Sequence, residues 1–387
     1  MEYKKLSEIA EITMGQSPDS NSYNENTDGL PFFQGKTDFG EVNPTIRMYC
    51  NAPKKIAEID DILMSVRAPV GDINISNVKC CIGRGLCSIR ISSEHDLKYI
   101  YYFIKTIKPQ LDAASTGSTF KAINKNVVQD ILVPVPDLPT QQKIANTLDK
   151  ATELIEKRKT QITALDDLTQ SIFHDMFGDP VSNEKNWEVK TLKSLSTKIM
   201  SGNTPKGGSQ VYVKEGINFF RSQNVWRNEI KLEDIAYIDE KTHKTMSKSS
   251  LKHKDILVTK TGRINTENSS LGRSALYLGE DDSANLNGHV YLVRLKEGVS
   301  HEFVVHIIPS LRYREHIRAV CVGGIDKRQI NKNHLEEFPI VFPPEKLQIK
   351  FIELTKKITS QKKLLQNSLT KMEENFNGLI KKTFEAK

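Results

Sequence analysis

At 387 residues, 38% of them hydrophobic and 27% charged, the chain exceeds what one core covers, since hydrophobic cores stop growing near about 250 residues. Two or three domains are expected. No apolar run approaches the roughly 18 residues of a membrane span, and Met1-Glu2-Tyr3-Lys4-Lys5 does not open a signal peptide, so a soluble, cytoplasmic protein is expected. The net charge of +7 is uneven: 15 basic against 17 acidic residues over 1–138, 5 against 7 over 139–180, 25 against 19 over 181–343, and 10 against 5 over 344–387. That is a mild sign of a polyanionic partner for the second half.

The first elements in the chain recur later. Leu6-Ser7-Glu8-Ile9-Ala10 leads to Met14-Gly15-Gln16-Ser17-Pro18, as Leu192-Lys193-Ser194-Leu195-Ser196 leads to Ser201-Gly202-Asn203-Thr204-Pro205. Gly29-Leu30-Pro31-Phe32-Phe33 returns as Gly216-Ile217-Asn218-Phe219-Phe220, and Asp61-Ile62-Leu63-Met64 as Asp255-Ile256-Leu257-Val258. Ile131 to Pro136 answers to Phe338 to Pro343. An internal repeat of this kind sets the architecture before any motif does. Strand-like runs are Ile62-Leu63-Met64-Ser65-Val66, Leu86-Cys87-Ser88-Ile89-Arg90, Ile256-Leu257-Val258-Thr259 and Val290-Tyr291-Leu292-Val293-Arg294-Leu295, and short helices are expected over 97–106 and 302–320.

After each proline-rich exit the pattern becomes helical. From 139 to 177 a 3-4 spacing places Ile144, Leu148, Ala151, Ile155, Ile162, Leu165, Ile172 and Met176 on one seam, and Gly178-Asp179-Pro180 stops the helix. From about 344 to 384 the register repeats with Phe351, Ile358, Leu365, Leu369, Met372, Phe376 and Leu379. Each helix should run about 55 to 60 Å. Two seams of matched length and register predict mutual antiparallel packing. The fold class is therefore α+β: two pseudo-repeated β-rich globular domains, 1–138 and 181–343, separated by two long antiparallel coiled-coil helices over 139–180 and 344–387.

Catalytic constellations are missing from the sequence. There is no GxxxxGK[ST] loop, no strand-glycine fingerprint before a helix, no HExxH and no GxSxG. Cys50, Cys80, Cys81, Cys87 and Cys321 have neither CxxC nor histidine-partnered spacing, so buried free thiols and no metal are expected. Asp179, Glu188 and Lys190 can be assembled into a nuclease-like triple, but Asp179 lies on the helix stop. What remains is polar and basic side chains in loops at corresponding places of both copies, the residue types that contact bases and phosphates. In the first copy these are Gln34, Lys36, Thr37, Arg67, Arg84, Ser118 and Lys121; in the second, Arg221, Ser222, Gln223, Asn224, Arg227, Lys260, Thr261, Arg263, Arg273, Lys327 and Arg328. A coiled-coil scaffold with two protein-binding domains is the alternative, favoured by the near-neutral first copy.

The order and doubling of these segments resemble the specificity subunit of type I restriction-modification enzymes. The residues that carry the resemblance are Leu6 to Pro18, Gly29-Leu30-Pro31-Phe32-Phe33-Gln34-Gly35, Pro139-Thr140-Gln141-Gln142-Lys143-Ile144, Met176-Phe177-Gly178-Asp179-Pro180, Phe219 to Val225 and Asn375-Phe376-Asn377-Gly378-Leu379-Ile380. The resemblance implies a non-catalytic, double-stranded-DNA-binding subunit whose two target recognition domains each read half of a bipartite site. It implies helices that set the spacer and dock two methyltransferase subunits, with a motor-nuclease subunit joining the complex. This chain would bind no cofactor; the partners would use S-adenosylmethionine, ATP and Mg. The second copy departs at Pro344-Glu345-Lys346-Leu347-Gln348-Ile349 and at Gly323-Gly324-Ile325, which loosens the carry-over to Lys327 and Arg328.

Overall fold

The computed structural model describes residues 2–115, 121–264, 266, 268–324 and 327–384. The chain divides into two compact units, Met1–Gln161 with Leu365–Lys387, and Ile162–Leu364. Two forty-residue helices, Leu138–Phe177 and Glu345–Phe384, each contribute one part to either unit.

In the first unit a four-stranded antiparallel sheet runs, in spatial order, Ala10–Met14, Leu86–Ile91, Ile62–Ser65 and Ile73–Ile75. Strand Ile62–Ser65 is buried along its whole length because both faces are covered. Ile62 and Met64 face a core with Tyr99, Ile100 and Phe103 of helix Leu97–Thr106, while Leu63 joins Phe33, Ile82 and Leu86 on the other side. That is why the run is apolar without alternation. A five-stranded sheet of shorter strands pairs Leu30–Phe33 in parallel with Cys80–Ile82. The start of the first long helix and the end of the second close this core: Ile144 and Leu148 share it with Phe376, Leu379, Ile380 and Phe384. The rings of Tyr99 and Phe384 lie 5.3 Å apart.

The second unit repeats the plan. Its sheet runs Ser196–Ser201, Val290–Leu295, Ile256–Thr259, Ser274–Leu276, and Ile217–Phe220 lies parallel to Ala284–Leu286. Here the end of the first long helix meets the start of the second: Phe173 and Phe177 each stand 5.5 Å from Phe351, and Lys362 Nζ reaches Asp166 at 2.7 and 2.8 Å. Within each unit, then, the two helices run antiparallel as expected. Leu148, Ile155 and Phe351 on the seam are buried, whereas Ile144, Ile162, Leu165, Ile172, Ile358, Leu365, Leu369, Met372 and Phe376 are half-buried. Two helices alone shield only one side of a stripe. At Phe173 and Phe177 the buried face steps one position off the seam, because Phe303 of the unit's own core packs there as well. The helix expected over 302–320 is two, His301–Ile307 and Leu311–Val320, since Pro309 lacks an amide hydrogen and Ser310 starts the second.

The repeat has physical causes. Asp61 and Asp255, both 1% exposed, each receive a two-pronged guanidinium: Arg90 at 2.9 and 3.0 Å, and Arg294 at 2.8 and 2.7 Å. A Cβ on Gly15 would meet the Gly83 carbonyl oxygen at 2.2 Å, and one on Gly202 would meet that of Leu286 at 2.2 Å. The apparent departure at Pro344 also resolves into likeness. Gln348 Nε2 donates to the Pro343 carbonyl at 2.7 Å, as Gln141 Nε2 does to that of Pro136 at 2.8 Å, so both buried glutamines tie a helix start to the preceding strand. All five cysteines are buried and free.

Candidate nucleic-acid interface

The loop after Phe33 begins with a 3-10 turn, Lys36–Asp38, closed by its own last residue: Asp38 Oδ2 accepts from Gln34 N at 2.7 Å and Gly35 N at 3.3 Å. After Phe220 the turn Ser222–Asn224 is closed the same way by Asn224 Oδ1 on Arg221 N at 3.0 Å. Thr45 N then reaches Asp38 O at 2.8 Å, and Lys231 N reaches Asn224 O at 2.8 Å. Loops 35–45 and 221–231 are thus one frame, and the second lacks the residue that stands between strand and frame in the first, Gln34. Asn224 differs from the expectation of a base contact. It is 0% exposed and its amide donates to Lys231 O at 3.1 Å, so it shapes the loop as Asp38 does.

In the first unit a string of backbone contacts gathers the candidates. A Cβ on Gly85 would stand 2.3 Å from Gln34 O, so the 83–85 turn lies flat against the loop, and Arg84 N donates to Ser17 Oγ at 3.2 Å. Val66 N bonds Gly85 O at 2.9 Å, Ala68 N bonds Lys121 O at 3.0 Å, and Arg67 bridges to Ala122. Gln34, Arg84, Arg67 and Lys121 are all exposed along this string, and Thr37 is exposed on the loop. Lys36 is engaged: Asp72 holds it at 3.0 Å and also binds Lys108 at 2.5 Å. Burial opposes the Asp72 charge, but hydrogen bonds from Lys108 and Lys36 outweigh it and keep the carboxyl below its usual range. Lys121 lies 3.4 Å from Asp112. Ser118 falls outside the described residues.

The second unit has the same string with other side chains. Lys260 N bonds His289 O at 2.8 Å where Val66 bonds Gly85, Ile330 N bonds Lys260 O at 2.9 Å where Ile123 bonds Val66 at 3.0 Å, and Thr261 and Gly262 pair with Gln329 and Arg328. Arg67 therefore corresponds to Thr261, Lys121 to Arg328, and Gly85 to the exposed His289. Lys260 is half-buried, 5.5 Å from the Tyr291 ring, and Arg328 Nη1 donates to Cys321 O at 3.3 Å. Arg263 and Lys327 are exposed. On the loop, Ser222 is half-buried while Gln223 and Arg227 are exposed. Asp234 grips the loop head. Its carboxylate takes Gln223 Nε2 at 2.7 Å and Arg221 Nη2 at 3.2 Å, and its carbonyl accepts from Arg221 too.

Asp72, Asp234, Lys231 and His289 were not among the expected residues. Nothing in the sequence flags them, because their correspondence appears only once the hydrogen bonds align the copies. Asp179 of the nuclease-like triple is committed elsewhere: it accepts from Val181 N, Ser182 N and Arg312 at 2.8, 3.2 and 2.6 Å, shaping the turn after the helix, while Lys190 pairs with Glu188 at 3.2 Å and lies over Phe342. Among the described residues there is no metal-binding group of acids, histidines or cysteines and no helix long and apolar enough to cross a membrane.

Paired loop frames, each following a strand packed on the face of the four-stranded sheet away from the two antiparallel helices, define a class. Residues 1–164 match the family model described as the type I restriction modification DNA specificity domain. Along the whole chain the similarity is to type I restriction enzyme specificity subunits. The putative MjaX specificity subunit of Methanocaldococcus jannaschii is 46% identical over 155 residues, covering 39% of this chain and 36% of that protein. The MjaIX specificity subunit of the same organism is 24% identical over 393 residues, covering 94% and 88%. The crystal structure of the type I restriction-modification system S subunit from M. genitalium matches over 99% of this chain and 96% of its own, with 15% identity and a TM-score of 0.57, which shows a shared fold. The first of these relatives is thus matched over little more than a third of its length.

Proposed function

We propose that this chain is a non-catalytic DNA-recognition subunit, each unit reading one half of a bipartite double-stranded target through its loop frame. The observation that carries this is the pair of frames itself: the same backbone bonds hold both loops, while the side chains at matching places differ, Arg67 against Thr261 and Lys121 against Arg328. Selection for a common scaffold with unlike readout suits two unlike half-sites. Gln34, Arg84, Arg221, Gln223 and Arg227 offer donors for base edges, and Thr37, Arg67, Lys121, Lys260, Thr261, Arg263, Lys327 and Arg328 suit phosphates. The two long helices set the spacer between half-sites and dock two methyltransferase subunits, to which a motor-nuclease subunit adds. Those partners use S-adenosylmethionine, ATP and Mg, and this chain binds none of them.

The test is selection of duplexes from a random pool by the purified chain, followed by a salt titration. The expected result is enrichment of two fixed half-sites around a constant gap, with log affinity falling linearly against log salt. A flat salt response without enriched half-sites would reject DNA reading and favour a protein-binding scaffold.

A further inference from the structure

We propose that Trp226, Lys231 and Arg273 form a phosphodiester-binding site that anchors the second unit on DNA, and that the first unit has no counterpart to it. The proposal rests on the DNA-reading function above and adds a division of labour between the units. The correspondence of positions comes from hydrogen bonds. Ser65 N bonds Asp72 O at 2.8 Å and Asp72 N bonds Ser65 Oγ at 2.9 Å; Thr259 N bonds Arg273 O at 2.8 Å and Arg273 N bonds Thr259 Oγ1 at 2.8 Å. Asp72 and Arg273 therefore occupy one place with opposite charge. On the shared loop frame Gly40 corresponds to Trp226, Glu41 to Arg227 and Thr45 to Lys231. Where the first unit has two carboxylates, the second has three cations and an indole.

These cations are gathered by the ring. Lys231 Nζ lies 4.1 Å and Arg273 Cζ 3.9 Å from the Trp226 ring centre, within range of its negative face. The indole is fixed by its Nε1 donating to Gln223 O at 3.0 Å. Arg273 is 7% exposed; its Nε donates to Ser269 O at 3.0 Å and its Nη2 to Asn268 O, which leaves Nη1 for an anion. Burial and the nearby Arg227 charge both push the guanidinium's pKa down, so positive charge here is under pressure that an anion would relieve. The cluster is continuous with the reading frame, since Asn228 N bonds Ser274 O at 2.7 Å and Thr259 leads directly into Lys260. A phosphate next to a base being read is the anion this placement meets.

The experiment is a salt titration of the full chain on a duplex it selected from a random pool and on a scrambled duplex of equal length. Each phosphate contact contributes about 0.9 to the slope of log affinity against log salt. Lys231→Ala should flatten the slope by about 0.9, Trp226→Ala by up to about 1.8, and Trp226→Phe should restore most of it, while Glu41→Ala in the first unit should leave it no flatter. Equal slopes for Lys231→Ala and wild type, with the selected duplex still bound, would overturn the anchor and leave base reading intact. Failure of the wild-type chain to select any duplex would overturn the reading beneath it. Should Trp226→Ala not fold, Lys231→Ala decides alone.

Discussion

Replacing Asp234 with glycine tests whether the loop head in the second unit reads bases. Asp234 sits at φ +56°, a left-handed conformation that glycine adopts without strain, so the backbone carbonyl that holds Arg221 is kept. What disappears is the carboxylate that fixes Gln223 at 2.7 Å and Arg221 at 3.2 Å. A well-aimed two-pronged contact discriminates against a wrong base by about 1–3 kcal/mol, roughly 5- to 150-fold. Letting the Gln223 amide and Arg221 guanidinium rotate should lose most of that at the one or two positions they address. Non-specific affinity should hold or rise, because a negative charge facing phosphate is removed. The assay is the dissociation constant for the selected duplex and for each single-base variant. Discrimination should drop in one half-site and persist in the other. If every position discriminates as before in a folded Asp234→Gly chain, these side chains do not read bases.

Asp255→Ala should cost about 3–5 kcal/mol of stability by leaving Arg294 without its partner. Asp61→Ala should cost less, because Arg90 is 46% exposed against 23% for Arg294; denaturant unfolding in the reverse order would contradict this. His306 packs 5.4 Å from Phe351, and burial lowers its pKa from 6.5 to about 4. The unfolded chain therefore binds the proton first as pH falls. Stability should be full above pH about 6.5 and decline towards pH about 4 by at most about 3 kcal/mol. His306→Phe should flatten that part of the stability curve, and an unchanged curve would count against it. Inserting one heptad into each long helix adds about 10 Å, about three base pairs at 3.4 Å each. Methylation mapping should then find the same half-sites with a longer gap, and altered half-site bases would refute the division of labour.

Much of the framework was legible in the sequence because it rests on periodicity and steric exclusion. The runs Ile256–Thr259 and Val290–Leu295 and the helix Leu97–Thr106 follow from apolar patterning, and Gly15 and Gly202 from close backbone approach. The loops were less legible. One missing residue ahead of Ser222 shifts the register, so Asn224 looks like a reader when hydrogen bonds make it the equivalent of Asp38. The reversal of charge from Asp72 to Arg273 is likewise invisible without the bonds to Ser65 and Thr259 that align them. Phe173 and Phe177 escaped the seam because a helix end answers to a local core as well as to its partner helix.

The way the two long helices are shared has a consequence for how the protein is made. The second unit is one uninterrupted stretch, Ile162–Leu364, whereas the first joins Met1–Gln161 to Leu365–Lys387. During synthesis the second unit has all its parts first. The first waits with Tyr99, Tyr102 and Phe103 uncovered until Phe376 and Phe384 emerge to pack on them. A protease removing residues 365–384 would leave a finished second half beside an open first one.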